Sequence, residues 1–224
     1  MEVIPIKNDF IFIFALKGVR TVLVDAGLAG GGKALLHALN AAGIKNDSIS
    51  LLLITHGHTD HFGGAAEIRA TTGVPVAIHA ADAHYVRAGT NPPVVITSVV
   101  SQWVKKFIDE KAAKKAAACE PQVIFDGEFD LNAYGVDARV VHTPGHTAGS
   151  VSVVDGYGTA IVGDLIMGRM VNAHQPRWPF FAQDLALVRT SIRLLMDRGV
   201  QTFYASHGGP FTRKNVEKLL RDAA

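Results

Sequence analysis

The chain has 224 residues, 48% of them hydrophobic and 19% charged, which excludes a wholly disordered polypeptide and provides for a substantial core. Its 22 basic and 20 acidic residues give a formal net charge of +2, which disfavours nucleic acid and membrane surfaces as partners. One cysteine, Cys119, excludes an intramolecular disulfide, and the first residues lack a signal-peptide pattern. We therefore expect a cytoplasmic protein with one domain over residues 1–224, able to form a homodimer and acting on a small-molecule substrate.

The first third of the sequence alternates between strand and helix patterns. Lys17 and Gly18, between two apolar runs, are typical of a hairpin turn. Apolar runs and helical spacing predict strands over residues 11–16, 19–24, 51–54 and 74–79, and helices over residues 33–42 and 65–72.

The remaining two thirds contain a helical stretch and then a second batch of strands. Residues 101–118 have helical spacing and belong to a predicted insertion near residues 91–120. Further strands are predicted over residues 122–125, 138–142, 150–154, 159–162 and 202–205, and helices over residues 184–198 and 212–221. Two batches of strands and helices favour an α/β fold with two sheets and outer helices.

The segment from His56 to His61, His-Gly-His-Thr-Asp-His, carries four potential metal ligands within six positions, directly after an apolar strand. Imidazole and carboxylate are ligands that zinc and similar metals prefer. His56 and His58 point the same way in an extended backbone, whereas Asp60 and His61 are offset and can serve a second ion. Gly63 and Gly64 then allow a sharp turn into the next helix.

Three later loops each carry one potential ligand at the end of an apolar strand and beside glycine. These residues are His146, Asp164 and His207. Rigid sheets deliver ligands from distant parts of a sequence to one point in this way. A fourth loop places Asp25 after an early strand, and His142 lies four positions before His146.

Taken in order, these motifs resemble those of the metallo-β-lactamase superfamily of hydrolases, and the resemblance spans residues 22–210. It implies an αβ/βα four-layer sandwich, with two mixed sheets flanked by helices. It also implies two zinc ions, which iron or manganese could replace. The residues implied for the first ion are His56, His58 and His146; those for the second are Asp60, His61 and His207; and Asp164 would bridge both. Asp25 would orient a ligand or a loop amide from behind, and His142 would do the same or serve only in packing.

The resemblance implies hydrolysis of a small ester, thioester or lactone by a hydroxide held between the two metals. Asp60 would orient this nucleophile and pass its proton toward the leaving group. A true β-lactamase is disfavoured by Asp164 and the missing signal peptide. The short segment after His207 departs from glyoxalase II, and Met167 stands where many lactonases have tyrosine. A mononuclear iron oxygenase of the persulfide dioxygenase type and a non-enzymatic binding module remain the alternatives.

Two apolar segments, residues 92–108 and residues 177–181, are candidates for lining the substrate pocket. Each could form a wall of the pocket or a lid over the metals. A dimer contact or local core is an equally good interpretation of both. The candidate pocket residues are Trp103, Phe107, Met167, His174, Trp178, Phe180 and Phe181.

Overall fold

The computed structural model describes residues 1–93, 95–97 and 116–222. In chain order the strands are β1 (Glu2–Asn8), β2 (Ile11–Lys17), β3 (Thr21–Val24), β4 (Ile49–Leu53), β5 (Val76–His79), β6 (Val123–Phe125), β7 (Phe129–Asp130), β8 (Arg139–His142), β9 (Val151–Val154), β10 (Thr159–Ile161), β11 (Met167–Gly168), β12 (Pro176–Arg177), β13 (Thr202–Tyr204) and β14 (Phe211–Thr212). The α-helices are α1 (Gly32–Ala41), α2 (Thr59–Phe62), α3 (Ala65–Thr72), α4 (Ala83–Ala88), α5 (Leu185–Asp197) and α6 (Arg213–Arg221).

The strands form two six-stranded mixed sheets and a small hairpin. The first sheet has the order β1-β2-β3-β4-β5-β6, and the second has the order β14-β13-β10-β9-β8-β7. Strands β3 to β6 pair in parallel, as do β10 and β13, and most other pairs are antiparallel. Strands β11 and β12 form a separate two-stranded sheet in the described part of the chain.

Both faces of the first sheet are buried, and the period of two along its strands explains how. In β4, Leu52 packs against the helices on the outer face, whereas Leu51 and Leu53 face the second sheet. The outer core includes Leu35 of α1 and Ile68 of α3. These strands therefore read as continuous apolar runs rather than as alternating ones.

The second sheet is covered in the same way, by α5 and α6. Val188 and Ile192 of α5 and Val216 of α6 pack in the core on its outer face. Between the sheets lies a third core, to which the first sheet contributes Phe14 and the second Val153. The layers are thus helices, sheet, sheet and helices, which confirms the predicted sandwich.

The structure corrects three details of the predicted elements. Strand β1 was not predicted, because Pro5 and the polar residues after it interrupt the pattern; it lies at the edge of its sheet, where proline is tolerated. The strand predicted over residues 19–24 begins only at Thr21, and Val19 is exposed. Of the predicted helix 101–118, residues 101–115 lie outside the described part, and residues 116–118 are not helical.

In the described part of the chain, no helix combines the length and apolar character needed to cross a membrane.

Candidate metal centre

The candidate ligands lie where strands of both sheets end, at one edge of the sandwich. The segment with His56 and His58 follows β4, in the first sheet. In the second sheet, His146 follows β8, Asp164 follows β10 and His207 follows β13. Side chains separated by up to 151 positions in sequence are therefore delivered to one place by rigid strands.

The first ligand group consists of His56, His58 and His146. Nε2 of His56 lies 3.0 Å from Nδ1 of His58 and 3.2 Å from Nε2 of His146, and the last two atoms are 2.9 Å apart. Tetrahedral ligands about 2.0–2.1 Å from a zinc ion lie about 3.3 Å from one another. Three ring nitrogens at such spacing fit one metal ion.

Hydrogen bonds on the far side of two of these rings fix which nitrogen faces the centre. Nδ1 of His146 donates to the carbonyl oxygen of Phe181 at 2.8 Å. Nδ1 of His56 is 3.0 Å from the hydroxyl of Thr55, which itself donates to Asp25. Nε2 of both rings therefore keeps its lone pair for a ligand at the centre.

The second ligand group consists of Asp60, His61 and His207. Residues 59–62 form the single turn of α2, which rotates Asp60 and His61 away from the direction of His58. Oδ2 of Asp60 lies 3.8 Å from Nε2 of His61 and 3.7 Å from Nε2 of His207. The offset predicted from the spacing thus comes from a helical turn.

Asp164 lies between the two groups. Its Oδ2 is 3.7 Å from Nε2 of His146 in the first group and 3.4 Å from Nε2 of His207 in the second. Its Oδ1 is 3.5 Å from Nε2 of His61, and these two buried atoms have no hydrogen-bond partner. A divalent cation beside them would give both atoms a partner. The donor set and its spacing therefore fit two divalent metals.

The charges of the two groups differ. Burial, together with the neighbouring histidines, lowers the pKa of His56 well below its usual value and that of His58 to about 3. Burial also lowers the pKa of His146. The first group is accordingly neutral at pH 7 and ready to bind a metal.

In the second group the carboxylates affect the histidine pKa values more strongly than burial does. Burial alone would lower the pKa of His61 and His207, yet Asp164 above all raises both, that of His207 to about 10. Burial would raise the pKa of Asp60 and Asp164, but the same two imidazoles hold both below their usual value. Without metal the second group is thus a set of ion pairs.

Asp25 supports the second group from behind. Its Oδ2 accepts from Nδ1 of His61 at 2.8 Å, and its Oδ1 accepts from the backbone N–H of Thr55 at 2.8 Å. The side chain is fully buried, and the backbone φ of 68° is rare for a residue other than glycine. The sequence suggested a bond to a ligand or to a loop amide, and Asp25 makes both.

Asp82 was missed by the sequence analysis and supports the first group. It is fully buried and accepts from the backbone N–H of Gly57 at 2.8 Å, the hydroxyl of Thr147 at 2.6 Å and the backbone N–H of Gly149 at 2.9 Å. It therefore joins the loop of His56 and His58 to the loop of His146. A single aspartate in an alanine-rich segment gave no signal of this role.

Gly63 and Gly64 are needed for space rather than for a turn. Their φ angles of −56° and −83° are open to any residue. A Cβ on Gly63 would lie 2.4 Å from the backbone nitrogen of Ala29, and one on Gly64 would lie 2.4 Å from the carbonyl oxygen of Ala26. The expected sharp turn is therefore corrected to a close approach between α2 and the loop that holds Asp25.

The other candidate residues lie in varied surroundings. His142 stacks on His79 with centroids 4.0 Å apart and bonds to the carbonyl oxygen of Ala148, so it serves in packing. His174 is exposed, and Met167 is buried in β11. Trp103 and Phe107 lie outside the described residues.

The aromatic segment after β12 is less exposed than its sequence suggests. Trp178 packs against the core under α5, and Phe181 is 8% exposed. Local core is therefore the better interpretation of these two side chains, while Phe180 is half-buried under the guanidinium of Arg177. Phe10 lies at the tip of the β1–β2 hairpin and was not among the predicted site residues. Its ring stacks on that of His207, with the two ring centroids 5.7 Å apart.

The fold and the clustered ligands together define a class of metal-dependent hydrolases. The chain matches the family described as the metallo-beta-lactamase superfamily over residues 11–207. It belongs to this superfamily.

Curated relatives support this assignment, and solved structures share the fold. A probable metallo-hydrolase of Methanocaldococcus jannaschii is 28% identical over 206 residues, which are 90% of this chain and 87% of the relative. A hydroxyacylglutathione hydrolase of Cereibacter sphaeroides is 32% identical over 66% of this chain but only 43% of its own length. A metallo-beta-lactamase family protein of Thermus thermophilus has a TM-score of 0.66 at 22% identity, covering 99% of this chain and 78% of that protein. The B3 metallo-beta-lactamase BLEG-1 has a TM-score of 0.68 at 19% identity, covering 97% and 96%, and shares the fold.

Proposed function

We propose that this protein is a dinuclear zinc hydrolase of a small ester, thioester or lactone. The observation that carries the proposal is the pair of ligand groups with Asp164 between them. Two divalent ions held there would supply a water that is acidic near neutral pH and a Lewis acid for the substrate's carbonyl oxygen. The hydroxyacylglutathione hydrolase similarity supports a thioester among the candidate substrates.

Residues of the protein itself would transfer the proton and hold the metal ligands in position. Asp60 is the most exposed carboxylate of the centre, with 27% of its side chain open to solvent, whereas Asp164 is 4% exposed. Oδ2 of Asp60 is therefore placed to orient the attacking water and to pass its proton to the leaving group. Asp25 and the carbonyl oxygen of Phe181 hold His61 and His146 in place.

The test is hydrolysis by zinc-loaded protein of S-lactoylglutathione, an acyl-homoserine lactone, an aryl ester, a chromogenic cephalosporin and a phosphodiester. We expect turnover of at least one of the first three that chelation abolishes and added zinc restores. His58→Ala should lose both turnover and one metal equivalent. The matched control is His37→Ala, an exposed histidine of α1.

Turnover that survives chelation or the His58→Ala change would contradict the proposal. Oxygen uptake with iron-loaded protein and a persulfide, together with inactivity of the zinc form, would replace it by the oxygenase alternative.

A further inference from the structure

A cavity of about 330 Å³ is lined by Arg169, Met170 and Arg177, which belong to the segment that follows Asp164. Two of its three lining residues carry a guanidinium group. Among the described residues, neither arginine forms an ion pair with a carboxylate, whereas Arg87, Arg198 and Arg213 do. Two cations that share one cavity without a counter-ion repel each other unless an anion lies between them.

The guanidinium of Arg177 is held in place. Its Nε donates to the carbonyl oxygen of Trp178 at 3.0 Å, and its Cζ lies 3.5 Å from the centroid of the Phe180 ring. Burial, and after it the charge of Arg169, lowers the pKa of Arg177 from its usual value. The bond to Trp178 and the stacking on Phe180 restrict the orientation of this guanidinium, so the group is preorganised for a ligand.

The loop that carries both arginines is tied to the metal-ligand loops. Arg169 directly follows β11, and Arg177 lies in β12, opposite Met167. The N–H of Gly168 donates to the carbonyl oxygen of His207 at 2.6 Å. A Cβ on Gly168 would lie 2.4 Å from the carbonyl oxygen of Ala173, so the loop is closely packed at its base. These backbone contacts therefore fix the position of the cavity relative to the candidate metal ligands.

The same connection sets the distance between the two sites. Met167 is three residues after Asp164, which spans at most about 10 Å of extended chain. Arg177 lies across one strand pair from Met167, about 5 Å further. The Cα atoms of Asp164 and Arg177 are therefore at most about 15 Å apart, which is an upper limit on the length that a substrate needs to reach both sites.

We propose that Arg169 and Arg177 form an anion subsite that binds an oxyanion, a carboxylate or a phosphate, at the far end of the substrate. This inference rests on the proposed hydrolase function and narrows its substrate class to acidic esters, thioesters or lactones. Guanidinium groups bind both oxyanions through paired hydrogen bonds.

The test compares matched substrates of the zinc-loaded protein. p-Nitrophenyl monoesters of the dicarboxylic acids from glutaric to suberic are compared with the corresponding neutral terminal amides. We expect kcat/KM to favour the acid over the amide at least tenfold for one chain length. Arg177→Gln and Arg169→Gln should each reduce this ratio toward one, and the ratio should fall with added salt. Arg193→Gln, an exposed arginine of α5, is the control and should keep the wild-type ratio.

Binding is measured separately, by calorimetric titration of the zinc-loaded protein with glutarate and with inorganic phosphate. At least tenfold weaker binding in the double variant Arg169→Gln/Arg177→Gln supports the subsite, even if no ester is cleaved. The anion that loses more affinity is the one the subsite prefers. Equal turnover of acid and amide, or equal anion binding by wild type and double variant, overturns the subsite while leaving the hydrolase proposal intact.

Discussion

The two ligand groups are built on the same plan but differ in charge. Each has one fully buried carboxylate behind it, Asp82 for the first group and Asp25 for the second. Asp25 bonds directly to the imidazole of His61, whereas Asp82 holds only the backbone and a hydroxyl of the ligand loops. The first group is three neutral imidazoles, and the second is balanced by ion pairs.

This difference would give the two proposed metal sites unlike properties on one scaffold. The neutral imidazoles of the first group already have a free lone pair on the ring nitrogen. Rigid loops that hold these nitrogens in place are therefore sufficient for metal binding. A group with raised histidine pKa values must exchange protons for metal.

The largest expected effect is from Asp164→Asn, because this carboxylate lies within 3.7 Å of ring nitrogens of both groups. Removing its charge should lower the metal affinity of both sites. It should also lower kcat by about three orders of magnitude. Steady-state kinetics together with metal analysis measure this, with the exposed Asp137→Asn as control. Full activity with one metal equivalent would show that Asp164 does not join the sites.

Asp25→Asn and Asp82→Asn should separate the two groups. Each change places an amide NH₂ against a buried donor, which costs about 1–3 kcal/mol of stability. Loss of a residue that orients ligands lowers metal affinity by about 10–100-fold. We expect Asp25→Asn to weaken the second site more than the first, to which Asp25 is linked through the Thr55 hydroxyl, and Asp82→Asn to weaken mainly the first.

Each of these two variants is the other's control. Competition of the two bound ions with a chelator, followed by thermal unfolding, distinguishes local from global effects. Equal weakening of both sites by either variant would contradict separate support.

The smallest expected effect is on the pH dependence of metal uptake. The pKa of His207 is raised to about 10, so this ring is protonated in the metal-free protein at pH 8, and the raised pKa of His61 acts in the same direction. Metal affinity of the second site should therefore rise with pH, up to about tenfold per unit for each proton released. The first site, with lowered histidine pKa values, should show no such rise above pH 7.

Calorimetric titration with zinc in two buffers of different ionisation enthalpy counts the released protons. One zinc equivalent should bind without proton release and the other with release of one to two protons. Proton release that is the same for both equivalents would remove the charge difference between the groups.

Much of the fold and ligand set could be predicted because the signals are local. The apolar run of β4 followed by His56 to His61 combines a strand and its ligands within about a dozen residues. The strand-ending positions of His146, Asp164 and His207 follow the same rule.

What the sequence did not reveal depends on contacts between distant residues. Asp82 bonds to Gly149, 67 positions away, and no spacing pattern marks it. The closeness of Gly63 to Ala29 and the stacking of Phe10 on His207 are likewise set by how loops meet. Strand β1 depends on its edge position, which makes its proline harmless.

The most direct test of the account is anomalous diffraction at the zinc edge from crystals of the zinc-loaded protein. We predict two peaks, one among His56, His58 and His146 and one among Asp60, His61 and His207, with Asp164 in contact with both. A single peak, or peaks away from these residues, would contradict the assignment of two metal sites.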